Sequence, residues 1–140
     1  MRHIIIDTNV LISFVTARNP EQQSFVTPIF VDAAKAVIDV ICPDHVLAEF
    51  VYVMDRIYGV SRKDISAMMR DFIAMPGVRI VSEFSYDLLF QLWPGRIAEY
   101  GDAVIAATAK GVKGAVVATF DKKLIAALKT LNIPLHIWQQ

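Results

Sequence analysis

Apolar and polar positions in this chain fall into blocks whose period switches repeatedly, and each switch marks a change of element. Ile4–Ile6 has no polar face, which predicts a strand covered on both sides, as in a parallel sheet. Asp7, Thr8 and Asn9 interrupt the run with short polar side chains that bond nearby backbone, and Val10–Val15 resumes as one or two helical turns. Ala17–Gln23 reads as loop, and Pro20 and Pro28 bracket a breaker-rich connection. Helical spacing returns over 29–38, before a short strand over 39–42 closed by Pro43. Asp44 is placed to cap a helix through Ile57, with Leu47, Phe50, Val51, Met54 and Ile57 as its apolar stripe. Ser61 and Asp64 resemble a capping box for a methionine-rich helix reaching Met75. After Pro76-Gly77 the pattern predicts a strand over 78–81, then helices over 86–92 and 98–110. A strand over 115–119, a helix over 122–131 and a last strand over 134–138 complete the series. Strands alternating with helices imply a parallel sheet with helices on both faces.

At 140 residues the chain makes one domain, able to bury roughly two-thirds of its unfolded surface. Its 55% hydrophobic content exceeds what a fully wetted surface needs, so an apolar patch covered by a second copy or a partner is expected. No run is long enough to span a membrane, and the N-terminus does not read as a signal peptide, so a cytoplasmic location is expected. The lone Cys42 excludes an internal disulfide and a cysteine metal site. With 14 basic and 14 acidic residues, binding of nucleic acid cannot rest on overall positive charge.

Four acids stand out by their neighbours. Asp7 follows the isoleucine run, Glu49 is the only charge between Val46 and Met54, Asp102 opens an all-apolar helix, and Asp121 follows a strand. Each has a local explanation: Asp7, Asp102 and Asp121 as caps, and Glu49 as a partner of Arg56. Taken together they read as three acids at strand-to-helix junctions on one edge of a parallel sheet, overhung by a helix that carries the fourth. Crowded carboxylates repel unless neutralised, and oxygen ligands without cysteine or histidine select a hard cation, Mg²⁺ or Mn²⁺.

The ordered segments Ile5-Ile-Asp7-Thr-Asn9-Val, Pro43 through Glu49, Gly101-Asp102-Ala-Val-Ile-Ala-Ala-Thr and Val-Val-Ala-Thr119-Phe-Asp121 resemble the PIN-domain family along nearly the whole chain, and short members of this size look like VapC-type toxin ribonucleases. The resemblance implies a three-layer α/β sandwich with a five-stranded parallel sheet and a metal-dependent endoribonuclease. Carried over by position, Asp7, Glu49, Asp102 and Asp121 match the acidic metal-binding set, and Asn9 and Thr119 match supporting polar positions. Leu124 stands where the family has an aromatic, a change in the core. Glu99, three residues before Asp102, is a further acid for the same face. The resemblance also implies an RNA substrate and a small antitoxin, and composition adds a homodimer. If Asp7 only binds metal, Asp7→Asn should melt no lower than wild type without metal. His45 reads as a surface residue of a first helical turn. Two other readings remain: a haloacid-dehalogenase-like phosphatase, which needs a second aspartate where Asn9 stands, and a catalytically silent PIN-fold binding module.

Overall fold

The computed structural model describes residues 1–138. Four parallel strands form one sheet in the order β3-β2-β1-β4. They are β1 (Arg2–Ile6), β2 (Ile38–Pro43), β3 (Val78–Val81) and β4 (Val116–Ala118). Seven α-helices connect and cover them: α1 (Thr8–Val15), α2 (Pro20–Ala34), α3 (Asp44–Tyr52), α4 (Arg62–Ile73), α5 (Tyr86–Leu92), α6 (Tyr100–Lys110) and α7 (Lys122–Thr130). Ile4, Ile5 and Ile6 point alternately to opposite sides of the sheet, and all three are fully buried, so helices cover both faces.

Register is held at the amino ends of the strands by charge and throughout by packing. His3 pairs with Asp39 across β1 and β2, with Nδ1 lying 2.9 Å from Oδ2. Arg79 on β3 donates to the same carboxylate at 2.8 Å. The Arg79 guanidinium, with His3 beside it, holds the Asp39 carboxyl below the usual range. At the other end of the strands, Ile6 lies opposite Ala118, and the Asp7 amide donates to the Ala118 carbonyl at 3.0 Å. The residues that follow β1 and β4 therefore emerge side by side.

Three sequence expectations are corrected. Residues 20–23 belong to helix α2 and not to a loop. Asn19 accepts from the Gln22 amide at 3.0 Å, and Pro20 sits in the first turn, where its missing N–H costs no helical bond. Pro28 lies inside this helix, whose Val26, Ile29, Phe30 and Ala33 are buried. Phe30 stacks on Phe14 at 3.9 Å and meets Phe72 edge-on, so tertiary contacts hold the helix across its proline. Asp44 is the first residue of α3 and not its cap; Pro43 occupies that position without a side-chain bond. The helix then runs on as a π-helical turn over Val53–Ile57.

The five-stranded sheet is the third correction. Residues 134–138 contribute one isolated bridge, Leu135 to Val117, through the Pro134 carbonyl and the His136 amide, and form no fifth strand. Pro134 has no N–H to extend a ladder, and β4 offers only three residues. Trp138 is nevertheless tied down: its indole donates to the Thr119 carbonyl at 3.1 Å, and its ring stacks on Phe120 at 4.3 Å.

Gly77 closes the turn between α4 and β3 with φ +80, and a Cβ there would drive into the backbone carbonyl of Ala33. Neither the left-handed backbone nor a main-chain neighbour can yield cheaply. Gly77→Ala should lower stability by about 2–4 kcal/mol, read by denaturant unfolding; a loss within error would show that α2 can move aside.

Candidate metal centre

The site is assembled from residues at the carboxyl edge of the sheet. Asp7 follows β1 directly and is buried; its backbone is extended, and its side chain caps α1. One carboxylate oxygen accepts from the Thr8 amide at 2.8 Å. The other accepts from the Thr119 hydroxyl at 2.7 Å and the Asn9 amide at 3.2 Å. Asn9 also donates to the Thr119 hydroxyl and accepts from the Phe120 N–H at 3.2 Å. Thr119 in turn accepts from the Asp121 N–H at 3.0 Å. The segments after β1 and β4 are thus joined by one polar lattice centred on the Thr119 hydroxyl, which is buried with Asp7.

Asp121 is the N-cap of α7. Its Oδ1 accepts from the Lys123 amide at 2.9 Å and the Leu124 amide at 3.3 Å. Capping occupies that oxygen and leaves Oδ2 outside these bonds, so the local role and a ligand role are compatible. Asp102 is the third residue of α6, which follows α5 and not a strand, so the expected strand-to-helix junction is corrected for this residue. Nor does Asp102 cap the helix; Glu99 holds that position without a side-chain bond. Among the described residues none of the lattice bonds reaches Asp102.

Asp7, Asp102 and Asp121 each bring a carboxylate oxygen to within 4.8 Å of the others. Burial pushes the Asp102 carboxyl up to about 7, helped by the charges of Asp7, Asp121, Glu49 and Glu99. Burial also raises Asp7, against the lowering pull of its bonds from Thr119 and Thr8. An all-oxygen donor set with this much mutual repulsion fits a hard divalent cation, which would displace the proton from Asp102 and offset the crowded charge.

Glu49 is not part of that group of three. It sits on α3 at the rim with its side chain 49% exposed, where the sequence suggested a more enclosed place. Its Oε2 accepts from the Thr8 hydroxyl at 2.8 Å, and its Oε1 lies against Gly101, where a Cβ would come within 2.5 Å of it. Thr8 and Gly101 were therefore missed as site residues. The polar turn after β1 gave only a backbone reason for Thr8, and nothing local to Gly101 says that α3 passes over it.

His45 is also corrected. It is largely buried beside Gly101, both ring nitrogens lack a hydrogen-bond partner among the described residues, and Nε2 is 3.8 Å from Glu49 Oε1. Glu99 is exposed, and its charge is felt at Asp102.

Comparison with known proteins places this geometry. In overall structure the chain is similar to VapBC2 from Rickettsia felis bound to a DNA fragment from their promoter, with a TM-score of 0.67 and 18% identity over 98% of this chain and 99% of that one. It is similar to VapC20 from Mycobacterium tuberculosis, a sarcin-ricin loop cleaving toxin, with a TM-score of 0.61 and 22% identity over 89% and 94% of the two chains. A protein from Pyrobaculum aerophilum matches with a TM-score of 0.61 and 16% identity over 93% of each chain. No curated protein sequence matches. At such identities the structural likeness speaks to fold alone, but the sequence itself matches the PIN domain over residues 4–129, so the chain belongs to the PIN-domain family.

Proposed function

We propose that residues 1–140 form one nuclease unit that hydrolyses RNA phosphodiester bonds with the help of Mg²⁺ or Mn²⁺, and that the protein is the toxin of a VapBC-type pair. The observation that carries this reading is the convergence of Asp7, Asp102 and Asp121 within 4.8 Å in a chain of this family. Those three residues would hold the cation, and Glu49 on the rim would complete the acidic set. When bound, the cation supplies a water acidified toward neutral pH and offsets charge building on the phosphate oxygens. Thr119 and Asn9 fix the Asp7 carboxylate by donating to it, so its second oxygen is oriented before any ligand arrives. With its carboxyl pushed up to about 7, Asp102 would release its remaining proton to let a cation bind.

Asn9 spends its amide on Asp7 and Thr119 and its carbonyl on Phe120, which makes it a brace. That favours the nuclease over a phosphatase, which needs a second acid in that place. A homodimer and a small antitoxin are proposed as partners, the latter because similar folds include VapBC2 and VapC20. A cytoplasmic location is proposed too; among the described residues no helix is long and apolar enough to cross a membrane.

Purified protein should cleave labelled RNA with Mg²⁺ or Mn²⁺ and not with chelator, and Asp102→Asn should lose at least about 100-fold in rate. Inertness of folded wild type with every metal would favour the silent binding module. The Asp7 carboxylate accepts three bonds, so Asp7→Asn disturbs structure as well as charge, and the gain in metal-free stability is expected of Asp102→Asn instead.

The sign for Asp102 follows from its raised carboxyl. The unfolded chain ionises near the ordinary value of about 3.9, while the folded state keeps the proton to about 7. Metal-free stability contributed by this group is therefore full below about 4, falls as pH rises, and levels off above about 7. In chelator, Asp102→Asn should remove that decline, and its melting temperature should overtake wild type as pH approaches 7; parallel curves would mean that Asp102 is not held protonated.

Gly101→Ala should displace a flexible carboxylate and no backbone. Its melting temperature should stay close to wild type while cleavage falls roughly 10–100-fold; full activity would place Glu49 outside the chemistry.

A further inference from the structure

We infer that Arg96 and Lys123 form a phosphate-binding subsite beside the acidic centre, seating a phosphate of single-stranded RNA adjacent to the one being cleaved. The inference rests on the nuclease reading and adds to it which cations position the substrate.

A chain of zero net charge has no overall positive charge to draw RNA toward four acids, so cations placed beside them must offset their repulsion of phosphate. A cleft of about 300 Å³ between the α5–α6 loop and α7 meets that need. Arg96 and Lys123 line it together with Asp102 and Glu99, over an apolar floor that includes Leu124 and Ala127. Among the described residues neither cation is within 4.0 Å of a carboxylate, so both are open to a phosphate. Four other cations are engaged elsewhere: Arg79 is bound to Asp39, Arg56 and Arg62 face Asp55, and Arg18 lies over the Tyr58 ring.

The backbone positions of both residues are fixed. The Arg96 amide donates to Leu92, the next residue Ile97 is buried, and Trp93 clamps the loop by donating to the Ala98 carbonyl. The Lys123 amide donates to Asp121, one of the three converging acids, so its side chain starts at the edge of the site. Arginine offers a planar fork and lysine a mobile point charge, a pairing suited to a phosphodiester and indifferent to the base attached.

The test is the affinity of short labelled single-stranded RNAs of unrelated sequence, measured by fluorescence anisotropy with Ca²⁺ in place of Mg²⁺ across a salt series. Arg96→Gln with Lys123→Gln should weaken binding about tenfold, alike for every sequence, and flatten the plot of log Kd against log salt by roughly one unit. Lys110→Gln, at the far end of α6, should do neither, and circular dichroism should show the double variant folded. An unchanged salt slope, or a loss matched by Lys110→Gln, overturns the subsite. If wild type binds RNA with the steeper slope yet cleaves none, the cleavage reading falls and the subsite stands. If the double variant cleaves with an unaltered KM, the subsite falls and the cleavage reading stands.

Discussion

The molecule is organised around one bond between two distant segments: the Thr119 hydroxyl donating to the Asp7 carboxylate at 2.7 Å. A buried carboxylate is costly unless its lone pairs are taken, and unmaking such a bond costs more than forming it gains. Asp7 is affordable here because β1 and β4 run parallel in neighbouring positions and end together, delivering Thr119 and Asn9 to it. The same two strand ends deliver Asp121. The sheet therefore satisfies one acid and brings in a second by a single arrangement.

The third acid arrives by a different route and carries the electrostatic tension. Asp102 comes from α6, whose buried face is alanine, valine and isoleucine packed on the sheet. Small side chains let that helix lie close, which brings its first turn against Asp7 and Asp121. Burial and like charge push the Asp102 carboxyl up to about 7, while at Asp7 the bonds from Thr119 and Thr8 pull against the raising effect of burial. A site built this way stores repulsion that a bound cation would relieve.

The rim is softer than the centre. Glu49 is half exposed and held by Thr8 alone among the hydrogen bonds described, with the bare surface of Gly101 leaving room for its carboxylate. Beside it, His45 has buried nitrogens without hydrogen-bond partners among the described residues, an unusual state for imidazole in a protein interior. Rim and centre therefore differ in rigidity: the acids between β1 and β4 are fixed by backbone and hydroxyl groups, while Glu49 can adjust.

What the sequence determined by itself was whatever depends on near neighbours. The apolar run Ile4–Ile6 required a strand covered on both sides, and the short polar side chains after it required a turn, because periodicity and capping act over a few residues. The PIN family was readable for a related reason: four short segments keep their order and spacing. Tertiary structure alone decided the rest. It carried α2 across Pro28 through the Phe14 and Phe72 contacts, withheld a fifth strand where Pro134 meets a three-residue β4, and moved Asp102 from a strand end to a helix that follows another helix. It enclosed the ring nitrogens of His45 and laid Glu49 over Gly101, since which side chains share a space depends on how helices pack across a sheet, and no local pattern encodes that distance.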